Sequence, residues 1–393
     1  MRVQMKVSRL VIAMVAGMIA VAGCGSSGTT GANAQGVTST TIKIGTTLPI
    51  TGTAAAAGVG FETGLQKAVD EINAKGGING RKFDLTVLDD GFDAARSVAN
   101  IRRLVEDEKV FAIVSPAGSS LLPGSWPYLK GKGIPMVGPV SPPDPQLANV
   151  YLLGTSLEDQ HRVIADYLQT KGVKTIGIIR PDNLEGQNRS KGLHAQASKD
   201  GIQIVAEEVV QAGSTDVSAA VLNVKAKNPD AVDIETDNTG ATLILKQMQE
   251  LGWHPIVTGD SSTMGPGGSN VTKPAGSAAD GIIGTQLVEL PTTDTAAVQH
   301  WKSLGAPAPA ANFDLQAYAN AQVFFDIVKR MGNNLSWSNF QNVAESTKNF
   351  QTGLLPPVTF GPLPTGHTGT HGAKVSQYQN GKWTEQTDWI QPK

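Results

Sequence analysis

The sequence predicts an α/β protein built as two doubly wound, Rossmann-like lobes. Three observations carry that prediction. Segments rich in β-branched residues alternate with amphipathic helical segments, and the alternation occurs in two successive series. The inner strand segments are apolar throughout, such as residues 110–114 (VFAIV), as strands of a parallel sheet covered on both faces must be. The length, 393 residues, exceeds what one hydrophobic core usually serves, so two cores are expected.

The first series opens at residues 41–47 (TIKIGTT), whose alternation reads as a strand. A glycine-rich loop runs to Gly58, and residues 61–73 (FETGLQKAVDEIN) carry apolar side chains at helical spacing. Gly76 and Gly77 stop that helix, and Asn79-Gly80 turns the chain into a strand at 82–88. Residues 93–108 are helical, with Val98, Ile101, Leu104 and Val105 on one face. Strands at 110–114 and 134–137, with a helix between them, complete the series.

The second series begins near Ser156 with helix 161–170, strand 175–179, a loop over 180–188 and helix 190–200. Strand 203–209, helix 217–227, strand 231–235, helix 240–251 and strand 255–258 follow. After Gly281 a long helix over 312–331 is more than the second lobe needs. The chain is therefore expected to cross back to the first lobe and to return once more. The expected division is 41–155 with 285–360 for the first lobe, and 156–284 with 361–393 for the second.

Ahead of the lobes, Arg2, Lys6 and Arg9 precede an apolar run over 10–22 that ends in Val21-Ala22-Gly23-Cys24. A positive start, a short apolar stretch and small residues at a cleavage point are the layout of a signal peptide, here residues 1–23. The run falls short of the about 20 apolar residues that span a bilayer. The tetrapeptide resembles a bacterial lipobox, which implies that Cys24 is lipidated and anchors the mature protein; an ordinary leader with a chance cysteine is the alternative. Cys24 is the only cysteine, so no internal disulfide is expected and the fold must rest on its core. Residues 24–40 carry no charge and are mostly Gly, Ser, Thr and Ala, a flexible tether. The expected place is the extracytoplasmic face of the cell membrane. A formal charge of -2 offers no basic face, which argues against a nucleic-acid partner.

Ligands of open parallel sheets bind beyond the carboxyl ends of the strands, where loops meet helix N-termini. Four loop groups stand there: residues 49–60, residues 115–120 (SPAGSS), residues 138–144 (GPVSPPD), and the set 182–188, 236–240 and 259–263. The small residues of the first allow close backbone approach, and the hydroxyls of the second suit a carboxylate. Each loop alone could be turn chemistry only.

At this point the residues show a resemblance. LPITG at 48–52, AVDEINAKGGINGRKFDLTVLDD at 68–90 and RRLVEDEKVFAIVSP at 102–116 resemble the type I periplasmic solute-binding proteins of branched-chain amino acid (leucine/isoleucine/valine) ABC transporters. VKAKNPDAVDIET at 224–236, LILKQMQELGW at 243–253, VTFGPLPTGHTGTHG at 358–372 and VSQYQNGKW at 375–383 fit the same pattern. The resemblance implies two α/β lobes joined by three crossovers that close on a small ligand. It implies a monomeric receptor, not an enzyme, that delivers an amino acid or related amine or amide to the transmembrane subunits of a permease. Carried over residue by residue, the ligand carboxylate falls to Ser119, Ser120, Val140 and Ser141, and the ammonium to Asp260. Two positions that are often aromatic in the family are Glu185 and Asp237 here, so three carboxylates are expected to face the cleft. Such a set would repel itself unless a cationic or hydroxyl-rich ligand, or water, satisfied it.

Rival readings are weaker. Gly58, Gly60 and Gly64 with Asp89 or Asp90 look like a dinucleotide fingerprint, but the spacing is GxGxxxG and no tight turn holds it. His367 and His371 lie in a glycine-rich stretch expected to be a solvated loop, so no metal site and no cofactor are expected. No GxSxG elbow occurs. Trp126, Trp253, Trp301 and Phe92 could stack on a ligand, though packing is the commoner role. A sensor lobe reporting to a signalling partner shares every one of these features with a transport receptor, and so does a binder of a hydroxyl-rich solute.

Overall fold

The computed structural model describes residues 34–52, 54–118, 120–139, 146–211, 213–266, 271–305 and 312–392. Cys24 with its leader, and Ser119, Val140 and Ser141, lie outside the described residues. No described helix is long and apolar enough to cross a membrane.

Two sheets form, one for each series. The first holds β1 (Thr41–Leu48), β2 (Lys82–Asp89), β3 (Ala112–Val114), β4 (Met136–Val137) and β5 (Val150–Tyr151), all parallel, in the order β2-β1-β3-β4-β5. Helices α1 (Ala55–Ala74), α2 (Ala94–Glu106) and α3 (Trp126–Lys132) connect them. Then α4 (Leu157–Thr170) leads into the second sheet. Its strands are β6 (Thr175–Pro181), β7 (Gln203–Val210), β8 (Ala231–Ile234), β9 (Ile256–Gly259) and β10 (Ile283–Gln286). Between them lie α5 (Leu184–Asp200), α6 (Ser218–Ala226), α7 (Asn238–Glu250) and the single turn α8 (Thr272–Ala275). The antiparallel strands β11 (Lys374–Gln379) and β12 (Lys382–Glu385) complete the order β12-β11-β10-β9-β8-β6-β7.

The chain passes between the sheets three times. It leaves the first after β5. It returns after β10, when α9 (Ala296–Ser303), α10 (Phe313–Met331) and α11 (Trp337–Glu345) bury Trp301, Phe324 and Phe340 in the core of β1 and β3. It crosses again before β11, and this passage runs beside the first: Leu152 N–H donates to His367 O at 2.8 Å, and Gly369 N–H to Leu152 O at 2.8 Å. The doubly wound two-lobed class and its three crossovers are thus observed. β10 continues to Gln286, two residues beyond the expected change of lobe at 284.

Close helix packing uses glycine in both lobes. A Cβ on Gly64 of α1 would lie 2.1 Å from Asp314 O of α10, and one on Gly192 of α5 would lie 2.1 Å from Glu158 O of α4. Neither pair of helices could approach as it does with any larger residue there. One sequence expectation is corrected here. Residues 184–188 are not loop but the first turn of α5, because the Asn183 side chain accepts the Gly186 N–H at 3.0 Å and starts the helix six residues early.

Candidate functional site

At the carboxyl end of the first sheet, Asp89 organises the loop after β1. It accepts the N–H groups of Ile50 (2.9 Å), Thr51 (3.1 Å) and Gly91 (2.9 Å) and the Thr51 hydroxyl (2.6 Å). These donors hold its carboxyl below the ordinary range, the Thr51 hydroxyl contributing most. Asp90 is buried and accepts the Thr47 hydroxyl at 2.9 Å. Both acids are thus engaged within the protein, and neither stands as a ribose acceptor.

Beyond β3, Ser115 adopts φ 52° and its hydroxyl accepts from Asn320 at 2.9 Å. Ser120 is exposed, but it does not open α3: a short 3₁₀ turn at Pro123–Ser125 intervenes, and α3 starts at Trp126. Phe92 is 44% exposed at the end of β2, with φ 64°. The tryptophans are engaged in packing: Trp301 and Trp253 sit in the two cores, and Trp126 is half-buried against the cluster that holds Leu129 and Ile134.

The second sheet ends differently. Asp260, just past β9, is 1% exposed and is not an open acceptor. Its Oδ2 accepts Arg189 Nε at 2.5 Å, and its Oδ1 accepts the Ser262 N–H (2.8 Å), the Ser262 hydroxyl (2.5 Å) and the Thr263 N–H (3.1 Å). Burial works against its charge, yet the Arg189 and His161 charges and the Ser262 bond outweigh it and bring the pKa down to about 2. Glu185, on the first turn of α5, reaches to 3.7 Å from Arg189 Nη1 with its side chain 57% exposed. Asp237 caps α7, its Oδ1 accepting from Thr239 and Gly240 N–H (2.9 and 3.0 Å) and its Oδ2 from Gly213 N–H (3.0 Å). Burial opposes that charge too, but the three backbone donors keep the carboxyl below its usual range.

The expected trio of repelling carboxylates is therefore corrected. Asp260 and Glu185 gather round one guanidinium, and Asp237 is occupied with backbone. Arg189 is the residue that sequence reasoning missed. Its only signal was an arginine at the sixth position of a helix whose start was placed too late.

Next to this ion pair, His161 of α4, Asp233 of β8 and Glu235 form a second buried group, and Glu235 O accepts Arg189 Nη1 at 3.2 Å. A further correction concerns His367, which is 1% exposed rather than solvated. Its Nδ1 lies 3.0 Å from Leu147 O, its Nε2 3.1 Å from Glu345, and its ring stacks on Tyr151 at 4.4 Å. His371 instead pairs with Asp159 at 2.7 Å, so the two histidines share no ligand. Two cavities among the described residues, of 420 and 590 Å³, are lined by no residue of these strand-end loops.

Known proteins agree with this architecture. Residues 41–382 match the family described as periplasmic binding protein. An amino acid binding protein of Pseudomonas aeruginosa is 32% identical over 218 residues, 54% of this chain and 58% of the relative's own length. A Leu/Ile/Val-binding protein of Rhizobium johnstonii is 28% identical over 84% of this chain and 88% of its own. Among solved structures, a fatty acid ABC transporter substrate-binding protein from Thermomonospora curvata superposes with a TM-score of 0.74 at 18% identity, covering 92% of this chain and 95% of that one. That last likeness speaks for the fold alone. With the match running from the first strand to the start of the last, this chain belongs to the periplasmic binding protein family.

Proposed function

We propose that the chain is the extracytoplasmic receptor of an ABC importer, anchored through lipid on Cys24, that captures an amino acid or related amine or amide and delivers it to the permease. It acts as a monomer and as a binder, not an enzyme. The lobes are residues 41–155 with 287–360 and 156–286 with 361–393, the second lobe being extended by the end of β10. The observation that carries the reading is the pairing of unlike sheet ends. One offers hydroxyl and backbone groups around Ser120, with Ser119 next to it in the sequence and Val140 and Ser141 following β4; the other offers the Glu185–Arg189–Asp260 group. The names of the relatives from Pseudomonas and Rhizobium support an amino-acid ligand. Glu185 is the acid with an exposed carboxylate to meet an amine, and Asp260 stands behind Arg189.

A second reading has one observation in its favour. Because Arg189 already neutralises Asp260, a hydroxyl-rich solute without an amine fits the same donors and acceptors. Mass spectrometry of co-purified solute, followed by thermal shift over amino acids, amides, polyamines and polyols, separates the two. A bound ligand at 100 times Kd should raise stability by about 2.7 kcal/mol. Stabilisation by polyols alone would overturn the amino-acid assignment, and stabilisation by none would overturn the receptor. Glu185→Gln should weaken an amine ligand at least tenfold and leave a polyol within threefold.

A further inference from the structure

We propose that His161, Asp233 and Glu235 form a buried site for one divalent first-row cation of the Zn²⁺ class, inside the second lobe and separate from the solute. All three residues are fully buried, and their ligand atoms lie within 4.8 Å of one another. His161 Nε2 is 3.2 Å from Asp233 Oδ2 and 3.9 Å from Glu235 Oε1.

The protons fix what these atoms offer. His161 Nδ1 lies 2.8 Å from Leu157 O, and a carbonyl can only accept, so Nδ1 carries the hydrogen. Without a cation the ring holds its second proton on Nε2, which burial opposes and the Asp233 charge favours; a metal ion would displace that proton and meet a bare lone pair turned toward two carboxylates. Thr258 donates its hydroxyl to Asp233 Oδ1 at 2.6 Å, which leaves Oδ2 facing inward. Beyond their approach to one another, Nε2, Asp233 Oδ2 and both Glu235 oxygens have no hydrogen-bond partner among the described residues. Buried acceptors in that state are costly unless a cation holds them together.

Charge and spacing select the cation. Arg189 and Asp260 cancel as a pair, so once a cation has displaced the protons of His161 and Glu235, Asp233 and Glu235 leave two negative charges for a dication to balance. A tetrahedral centre with bonds of 2.0–2.2 Å sets its ligands about 3.4 Å apart, between the two observed separations. One imidazole and two carboxylates, with no thiolate, suit Zn²⁺, Mn²⁺ or Fe²⁺ and not a soft ion. The Leu157 carbonyl and the Thr258 hydroxyl are the outer partners that such ligands require to hold their orientation. A bound ion would tie α4 to β8 and steady Glu235 O, which receives Arg189.

The test loads the mature chain, unfolded in the presence of EDTA, by refolding it with Zn²⁺ alone, followed by chelator washing and elemental analysis. The expected result is about one Zn²⁺ per chain, a melting temperature raised over the metal-free protein, and an X-ray absorption shell of one imidazole nitrogen with oxygens. Glu235→Gln and His161→Gln should each lower retention at least tenfold. Should either variant fail to fold, the absorption shell of the unaltered protein decides. Retention below a tenth of an ion per chain, equal retention by the folded variants, or a shell without imidazole overturns the site and leaves two protons shared among the three side chains.

Discussion

The two sheet ends solve the same problem with opposite chemistry. In the first lobe, rings fill the core behind the strands: Tyr151 meets Phe360 at 5.3 Å, and Phe340 lies 6.1 Å from Phe111 and 6.0 Å from Phe324, every one fully buried. Its strand-end acids, Asp89 and Asp90, are met by hydroxyls and backbone N–H groups rather than by a counter-charge. In the second lobe a mostly aliphatic core, with Val232, Ile234 and Ile244, lies beside buried charge: Arg189, Asp260, His161, Asp233 and Glu235. Apolar packing tolerates approximate partners, while buried charge demands its particular counter-charge. The difference teaches that the first lobe satisfies its strand-end acids with neutral donors, while the second relies on a buried counter-charge.

The comparison breaks most visibly at Arg189. Arg189→Leu leaves Asp260 as an uncompensated buried charge and should destabilise the protein by about 3–5 kcal/mol in urea unfolding. Adding Asp260→Leu should restore most of that loss. Phe324→Ala in the first lobe should cost a similar 3–5 kcal/mol through its cavity, with no second substitution that cancels it by charge. If the Arg189–Asp260 double variant were as unstable as the single one, the contrast between the lobes would fail.

Acid sharpens it next. Asp260 titrates at about 2 in the folded protein against 3.8 when unfolded, so its contribution is present above pH 3.8 and is lost as pH falls through 2. The groups that face it are Arg189, Ser262, Thr263 and His161. The stability gap between the wild type and Asp260→Asn should therefore narrow by about 2 kcal/mol between pH 5 and pH 2, followed by urea midpoints. A gap independent of pH would mean that the ion pair is not what lowers that carboxyl. The smallest effect belongs to Asp237. Asp237→Ala removes a helix cap and should cost about 1 kcal/mol in thermal unfolding while leaving solute affinity within threefold. A larger loss of affinity would return Asp237 to the binding surface.

Much of the fold was legible because periodicity is local. The β-branched run at 41–47 and the apolar face at Ile101, Leu104 and Val105 need no distant partner to be read. The site was less so. Asp237 carried a visible signal, an Asp three residues before Gly240 at a helix start, and its capping role follows from that. The start of α5 was hidden by Gly186 and Asn188, which look like loop. Arg189 meets Asp260 across 71 residues, and His161 and Asp233 are 72 apart, distances at which no pattern in one sequence assigns partners. Asp233 did leave a trace: a lone acid inside the apolar segment Ala231–Ile234 has to find a cation or a donor. His367 misled for the opposite reason, since the glycines around it permit the tight crossover that buries it beside Tyr151.

The threefold passage of the chain has a consequence for how the protein comes into being. Strands β1 and β2 are synthesised early, but α10, whose residues cover α1, follows some 250 residues later. The second sheet likewise has β10 unpaired on one side until residues 374–379 arrive. Neither lobe can close before the ribosome has made nearly all of the chain, so nascent intermediates carry open strand edges and bare apolar faces. A chain cut short before residue 370 would hold every strand of the first sheet, but its second sheet would lack β11 and β12 and leave the β10 edge open.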